Sequence, residues 1–282
     1  MLLAIDIGNS RAKLGRFDAV AADCQAAAQA ATLPIAGPVL PEPAETFALA
    51  LPAEPEAAEA RQAAAWIADH AAGTRVVVAS VNRPGRAMIE SLLADASLPP
   101  AKMLLAGDLP IEARVDNPGG VGIDRLLAAV AANRLRRPGK PVVLVDVGTA
   151  ITVDLVTADG AFEGGAILPG VAMASRALHQ QTDLLPELGI ATLDAAPDAV
   201  GKNTRDAIQA GIFWGAVGAV RELIDRQSDR LTEPPQVLLT GGMAPSVARL
   251  LGGPEITVRY VEHLVLSGIA IAAGGPSQAE PS

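Results

Sequence analysis

Two stretches of this chain repeat one pattern, in which an apolar run leads into Asp-x-Gly and small polar residues. The first is LAIDIGNSRAKLGRF at residues 3–17, and the second is LVDVGTAITVDLV at residues 144–156. Apolar runs on both sides of a short polar turn predict an antiparallel hairpin in each copy. Asp6 and Asp146 would then stand at equivalent strand ends, beside a glycine that lets backbone amides approach a ligand closely. The repeat predicts a chain of two related halves.

Turn chemistry alone would explain either Asp-x-Gly, because tight turns select these residues for their backbone conformation. Two copies in matching strand contexts instead favour a ligand held between related half-domains, since interdomain clefts are preferred binding sites. Asn9 and Ser10, like Thr149 and Thr152, add amide or hydroxyl groups that can contact phosphate oxygens or orient a cation-bound water. The pattern therefore predicts a nucleotide site.

Composition narrows the class of ligand. The chain has 282 residues, half of them hydrophobic, and a formal net charge of -9, which gives no electrostatic footprint for nucleic acid or an anionic membrane. Cys24 is the single cysteine and cannot form an internal disulfide. The first residues lack the features of a signal peptide, and no uninterrupted apolar run reaches membrane-spanning length. We expect a cytoplasmic protein that acts on a small molecule.

Strands and helices alternate in each half, which predicts α/β architecture. Prolines between residues 34 and 55 disfavour a regular helix there and indicate a surface excursion or a flap. Helices are predicted over residues 55–73, 84–96, 124–137, 172–181 and 204–227, and from Pro245 and Val265 onward.

Other phosphate-binding devices are absent from the sequence. No Gly-x-x-x-x-Gly-Lys-Ser/Thr occurs, and no Gly-x-Gly-x-x-Gly opens a helix after the first strand. Hairpin turns would have to cradle any phosphates.

Two further segments can carry chemistry or only cap helices. In DNPGGVGIDR, Asp124 either caps a helix or accepts a proton from a hydroxyl, while Arg125 is either solvated or holds an anion. In GKNTRDAIQAG, Thr204 is either a cap or a contact to a polar substrate. Gly241 and Gly242, after the strand VLLT, would let a backbone pass close to a nucleotide.

Six segments, taken in order, resemble the motifs of type III pantothenate kinases. They are DIGNS, NPGGVGIDR, DVGTAITVDLV, GGAILPG, GKNTRDAIQAG and LTGG. That family belongs to the superfamily of actin, hexokinase and the heat-shock chaperone ATPases. The resemblance covers nearly the whole chain and is weakest between residues 24 and 62. It implies an α/β fold of two duplicated ribonuclease-H-like (actin-like ATPase) domains, residues 1–117 and 118–282, with a nucleotide cleft between them.

The resemblance also implies an activity, the ATP-dependent phosphorylation of pantothenate to 4'-phosphopantothenate in coenzyme A biosynthesis. It implies Mg²⁺ held through water near Asp6, and a monovalent cation, K⁺ or NH₄⁺, at Asp146. The ATP contacts that it implies are Asp6, Ile7, Gly8, Asn9, Ser10, Arg11, Ala12, Lys13, Thr149, Gly241 and Gly242. The pantothenate contacts that it implies are Val115, Gly122, Ile123, Asp124, Arg125 and Thr204, with Asp124 as the proton acceptor.

One position departs from the family pattern. Val115 stands where the family usually has an aromatic side chain lining the pantothenate pocket. Loss of a stacked ring would weaken binding by roughly 1 kcal/mol. Val115 motivates one alternative to the pantothenate kinase, a related kinase or ATPase with another acceptor. A noncatalytic nucleotide-binding regulator is the other alternative. The intact Asp6, Asp124 and Asp146 argue against the regulator.

The helix GIFWGAVGAVRELI, residues 211–224, presents small and apolar residues at helical spacing. Such a surface could pack against a second copy of the chain, and the resemblance implies a homodimer. Core packing within one subunit explains the pattern equally well.

Overall fold

The structure of the protein is a computed structural model. It describes residues 1–18, 39–52, 57–70, 73–96, 98, 100–189, 196–251 and 258–274. Cys24 and parts of the proline-rich segment, residues 34–38 and 53–55, lie outside the described residues. The predicted α/β architecture is confirmed.

The described strands are β1 (Leu2–Ile7), β2 (Arg11–Phe17), β3 (Glu45–Ala50), β4 (Arg75–Ser80), β5 (Lys102–Met103), β6 (Val142–Val147), β7 (Ala150–Val156), β8 (Phe162–Pro169), β9 (Gln236–Thr240) and β10 (Val258–Tyr260). The described α-helices are α1 (Ala58–Asp69), α2 (Arg83–Asp95), α3 (Ile123–Leu135), α4 (Val171–Gln180), α5 (Thr204–Ser228), α6 (Ala244–Leu251) and α7 (Leu264–Gly274). Short 3₁₀ turns lie at Ala106–Asp108 and Pro118–Gly120.

The first sheet has the strand order β3-β2-β1-β4-β5, with β1 at its centre. β1 runs antiparallel to β2 and parallel to β4. All six residues of β1 are buried, because α1 and α2 pack on the face carrying Leu3, Ile5 and Ile7 while α7 also packs on the strand. A strand covered in this way reads as a continuous apolar run, which is why its sequence does not alternate.

The second sheet repeats this topology with the order β10-β9-β6-β7-β8. Its central strand, β6, is again antiparallel to the next strand in sequence, β7, and parallel to β9. Val143, Val145 and Val147 of β6 join a core that includes Phe213 and Val217 of α5. The duplication predicted from the two Asp-x-Gly hairpins is therefore confirmed.

The described residues divide into two compact units. Unit 1 comprises those within 1–112, 116–135 and 263–274, and unit 2 comprises those within 113–115 and 136–262. This division differs from the predicted boundary at residue 117. The reason is that α3 packs along α7 and α7 packs on β1, so both helices belong with the first sheet.

A close backbone approach joins α3 to α7 within unit 1. A Cβ atom placed on Gly268 would lie only 2.1 Å from the carbonyl oxygen of Leu127. The hydroxyl of Ser267 donates to the carbonyl of Pro41 over 2.8 Å, and the Arg75 guanidinium donates to the carbonyl of Ala273 over 2.7 Å. These contacts fix α7 against the first sheet.

One described helix, α5, is long and apolar enough to cross a membrane by length and composition. The apolar runs of the sequence predict no such segment. Ile208, Phe213, Val217 and Val220 of α5 are buried in the core of unit 2. In its most apolar 18-residue window 33% is buried, so α5 has one side in this core and one exposed side.

The Gly268→Ala substitution should destabilise unit 1, because the new methyl group has no room against the Leu127 carbonyl. Overpacking of this kind costs about 1–3 kcal/mol of unfolding free energy, measurable by urea denaturation. Gly107→Ala is the matched control, since a Cβ there meets no described atom within 4 Å. Equal stability of the two variants would contradict the close packing of α3 on α7.

Candidate active site

The turn between β1 and β2 follows a buried carboxylate and is formed by exposed residues. Asp6 is only 9% exposed and lies opposite Lys13 in the strand register. The Gly8 amide donates to the Arg11 carbonyl over 2.9 Å and closes the turn, in which Asn9 is exposed. The predicted hairpin is confirmed, and it offers backbone amides next to a negative charge.

The turn between β6 and β7 has the equivalent construction. Asp146 lies opposite Thr152, and the Gly148 amide donates to the Ala150 carbonyl over 3.0 Å. The Gly170 amide donates to the Thr149 carbonyl over 3.1 Å. A Cβ atom on Gly170 would come within 2.3 Å of that oxygen, so only glycine lets the start of α4 approach the turn so closely.

Glycines clear the space around the Asp146 carboxylate. A Cβ atom placed on Gly241 would lie 2.5 Å from Asp146 Oδ1, and one placed on Gly148 would lie 3.4 Å from the same oxygen. Gly241 also has φ of +100°, which disfavours any other residue. Its neighbour Gly242 has φ outside that region, and a Cβ there meets no described atom within 4 Å. The Cβ placed on Gly241 would also lie 2.5 Å from the Val147 carbonyl oxygen, so Gly241 lies against both the Asp146 carboxylate and the backbone next to it.

The carboxylates of Asp6 and Asp146 suit cations that are also bound by water or by substrate phosphates. No group of three or more His, Cys, Asp or Glu residues that could bind a metal alone occurs among the residues that the structure describes. Mg²⁺ in nucleotide sites is commonly bound by one or two carboxylates, several waters and the substrate phosphates. Asp6, beside the exposed residues 9–11 of the turn, suits such a role. Asp146, whose Oδ1 leaves no room for a side chain at Gly241, suits a cation bound directly.

Asp124 lies in the first turn of α3. Its Oδ1 accepts a hydrogen bond from the Arg125 amide over 2.9 Å. A Cβ atom on Gly122 would lie 2.6 Å from the same oxygen, so a larger residue there would displace the carboxylate. Burial raises the pKa of Asp124 above its ordinary value of 3.8, and the hydrogen bond and charge of Arg125 oppose this shift. A carboxylate with a raised pKa is a stronger proton acceptor.

Val115 lies in the three-residue segment 113–115 of unit 2. Ala113 forms a parallel bridge to Phe162, and the Arg114 amide donates to the Phe162 carbonyl over 2.8 Å. A Cβ atom on Gly164 would lie 3.3 Å from Val115 Cγ1.

An ion pair also holds this segment against the second sheet. The Arg114 guanidinium donates to both carboxylate oxygens of Asp159, with distances of 3.4 and 2.5 Å. Its hydrogen bond lowers the pKa of Asp159 to about 2, helped by a hydrogen bond from Thr157. Arg114 thereby fixes the backbone next to Val115.

Thr204 is the first residue of α5, but it is not the cap. The side-chain oxygen of Asn203 accepts from the Asp206 amide over 3.0 Å and closes the helix end. The capping interpretation of Thr204 is therefore wrong, because Asn203 already performs it. The Thr204 side chain is exposed.

The predicted residues are distributed over both units. Residues 6–13 and 122–125 lie in unit 1, whereas Val115, Asp146, Thr149, Thr204 and the two glycines 241 and 242 lie in unit 2. Within unit 2 the structure brings Asp146 beside Gly241. A nucleotide cleft shared by both halves stays a prediction.

Sequence reasoning did not single out Asn82, which contacts the first turn. Its amide nitrogen donates to the carbonyls of Gly8 and Asn9 over 3.2 and 3.3 Å. The local signal was present, since asparagine just ahead of proline in SVNRPG is typical of a helix N-cap. The contact with the turn has no such signal, because the partners are far apart in the sequence.

Comparison with known proteins identifies the family. The family model described as type III pantothenate kinase matches residues 2–226. The chain is 42% identical over 166 residues to the type III pantothenate kinase of Gluconobacter oxydans (strain 621H), covering 59% of this chain and 58% of that protein. The corresponding enzyme of Ruegeria sp. (strain TM1040) is 43% identical over 161 residues, covering 57% and 59%. The matched part of the chain thus spans less than two thirds of these relatives' length.

Solved structures agree with the fold. A putative 2-dehydro-3-deoxygalactonokinase from Sinorhizobium meliloti superposes with a TM-score of 0.53 over 97% of this chain and 98% of that one. At 15% identity this similarity concerns the fold alone. It agrees with the predicted two-domain actin-like ATPase class.

Gly241→Ala should be costly and Gly242→Ala nearly neutral. The first substitution combines an unfavourable φ with contacts to Asp146 Oδ1 and to the Val147 backbone, and strain plus overpacking cost about 2–4 kcal/mol of unfolding free energy. The second adds a methyl group that meets no described atom within 4 Å. Thermal and urea unfolding of both variants measure the difference. Equal stability would show that Gly241 does not clear the space around Asp146.

Proposed function

The chain belongs to the type III pantothenate kinase family, and from this we propose that it transfers the terminal phosphoryl group of ATP to the primary hydroxyl of pantothenate. The products are 4'-phosphopantothenate and ADP, at the first step of coenzyme A biosynthesis. The observation that supports this best is Asp124, a partly buried carboxylate in the first turn of α3 whose Oδ1 leaves no room for a side chain at Gly122.

Asp124 acts as the general base. The hydroxyl oxygen attacks the terminal phosphorus while its proton passes to the carboxylate, and the bond to the bridging oxygen of ADP breaks. Desolvation favours this transfer because it raises the pKa of Asp124. The Arg125 amide, 2.9 Å from Asp124 Oδ1, keeps the carboxylate oriented. We assign the proton transfer to the second oxygen, Oδ2.

The phosphates of ATP carry negative charge, and backbone amides can donate hydrogen bonds to them. We assign ATP contacts to the turn from Asp6 to Lys13, to Thr149, and to the glycines 241 and 242. Asp6 would hold Mg²⁺ through water and Asp146 would hold a monovalent cation, which would supply positive charge near the transferring group. Phosphoryl transfer depends on such positioning and electrostatic stabilisation rather than on covalent chemistry.

Arg125, Thr204 and Val115 would recognise the acceptor. A guanidinium binds a carboxylate such as that of pantothenate in a two-pronged geometry, and an exposed hydroxyl adds a polar contact. Val115 supplies apolar lining.

A kinase of the same fold with another acceptor is the second candidate. Val115 against Gly164 forms a small apolar surface, held by the Arg114 ion pair, where the family usually has a ring. Because valine is smaller than an aromatic ring, a pocket lined by Val115 has room for a bulkier acceptor.

We propose further that the protein works in the cytoplasm on small molecules and binds neither nucleic acid nor membrane. Its net charge of -9 supports this, because such a surface repels anionic polymers.

A coupled assay of ADP release, run with and without pantothenate, tests the function. We expect acceptor-dependent turnover that is faster with potassium than with sodium, and the Asp124→Asn variant should lose about 100-fold to 10,000-fold in rate while folding normally. Turnover only with a different alcohol would favour the second candidate. No turnover with any acceptor would contradict both kinases and leave a noncatalytic regulator.

The pH profile of the wild type checks the role of Asp124 independently. The base must be ionised, so kcat/KM should fall as the pH drops through the pKa of Asp124. Burial places this acid limb above the ordinary value of 3.8. A profile that is flat down to that value would contradict the assignment.

The exposed side of α5 supports a homodimer. Gly211, Gly215 and Gly218 follow one another at helical spacing on this side, and a Cβ on any of them meets no described atom within 4 Å. Each glycine costs the helix about 1 kcal/mol relative to alanine. Small residues let another backbone approach closely, so a second copy of α5 would compensate for that cost. The buried side is already explained by the core.

Gly215→Leu should therefore shift the protein from dimer to monomer, because the side chain would separate the two helices. Sedimentation velocity measures the change. Gly215→Ala should retain the dimer, and the exposed Arg230→Gln, beyond the helix, should leave it unchanged. A wild-type monomer at micromolar concentration, or a dimeric Gly215→Leu variant, would contradict the packing of α5 on its copy.

A further inference from the structure

Asn82 joins two elements that meet at the end of β1. Its side-chain oxygen accepts from the Gly85 amide over 3.0 Å and caps α2. Its amide nitrogen donates to the Gly8 carbonyl over 3.2 Å and to the Asn9 carbonyl over 3.3 Å. One side chain thus uses its acceptor on the helix and its donors on the β1–β2 turn.

The backbone around Asn82 is itself fixed. The backbone amide of Asn82 donates to the Ser80 hydroxyl over 3.1 Å, and that hydroxyl donates to the backbone carbonyl of Asn82 over 3.0 Å. The Val81 amide donates to the Ile7 carbonyl over 3.0 Å, which ties this turn to β1. A Cβ atom on Gly85 would lie 3.0 Å from Ile7 Cγ2, so α2 begins in direct contact with the strand end. Asn82 is therefore held in place before it contacts the hairpin.

Peptide geometry turns these two carbonyl contacts into an orientation of amides. In a trans peptide the carbonyl of one residue and the amide of the next point in opposite directions across one plane. Holding the Gly8 and Asn9 carbonyls toward Asn82 therefore directs the amides of Asn9 and Ser10 away from it. Turn amides that point in a common direction form an anion-binding concavity.

We propose that Asn82 is a positioning residue for nucleotide binding, which orients the Asn9 and Ser10 amides of the β1–β2 turn toward the phosphates of ATP. This inference deepens the proposed function and rests on it. Asn82 acts through the turn, so it should govern affinity for ATP and leave recognition of the acceptor alone.

Two substitutions separate this role from helix capping. Serine and aspartate both cap helices about as well as asparagine, so Asn82→Ser and Asn82→Asp preserve the acceptor for Gly85 but remove the two donors. Serine adds no charge. Both variants should raise KM for ATP roughly tenfold, since two hydrogen bonds to the turn are lost, while KM for pantothenate and the melting temperature stay near the wild-type values.

Binding and exchange give readouts besides activity. Isothermal titration with Mg-ADP should show a similar, roughly tenfold loss of affinity in Asn82→Ser. Amide hydrogen exchange at residues 8–11 of the free protein should be faster in this variant, because the turn is less constrained. Arg86→Gln is the matched control on the same helix, as it removes only an exposed ion pair with Glu90 and should change none of these values.

Several results would overturn the inference. A wild-type KM for ATP in Asn82→Ser would do so, as would a loss confined to Asn82→Asp, which would indicate charge rather than the missing donors. An equal rise of both KM values would indicate a general structural defect. If both variants unfold, Ser80→Ala, which loosens Asn82 without removing it, should still raise the Kd for Mg-ADP, and an unchanged Kd would overturn the proposal. Wild-type protein without turnover would instead contradict the proposed function.

Discussion

The structure depends on a central strand that is buried along its length and ends in an aspartate beside a glycine turn. Burial of β1 requires an unbroken apolar run, and the strand can expose polar groups only where it leaves the core. Antiparallel pairing with β2 turns the chain back at that point, and parallel pairing with β4 brings a second turn to the same edge. The repeat in β6 obeys the same constraint.

Glycine shapes the surroundings of the carboxylates in both units. Gly122 leaves room for the Asp124 carboxylate, and Gly241 does so for Asp146, with a Cβ in either case closer than 3 Å to the oxygen. Gly268 allows α7 to lie directly on the backbone of α3, the helix that carries Asp124. Positions without a side chain thus determine where acidic groups sit, because every larger residue would displace the oxygen or the helix.

Much of this could be predicted from the sequence, since the signals were local. The hairpins, the start of α3 at the GID segment and the long helix α5 all follow from apolar periodicity and turn residues within a few positions. The cap of α5 was assigned less well, because Asn203 and Thr204 are both good capping residues and only the backbone shows which one accepts from Asp206. The contact of Asn82 was not predicted because its partners, Gly8 and Asn9 in the β1–β2 turn, are far from it in the sequence.

By itself the sequence determined the duplicated hairpins, the acidic residue at each strand end and the α/β class, because short-range pattern specifies each of them. Tertiary structure alone decided that α3 and α7 join the first sheet, and that one asparagine connects the cap of α2 to the turn after β1. It also decided that the pKa of Asp124 rises, since burial is set by the packing of distant segments. Such packing involves residues far apart in the chain, which a local pattern does not encode.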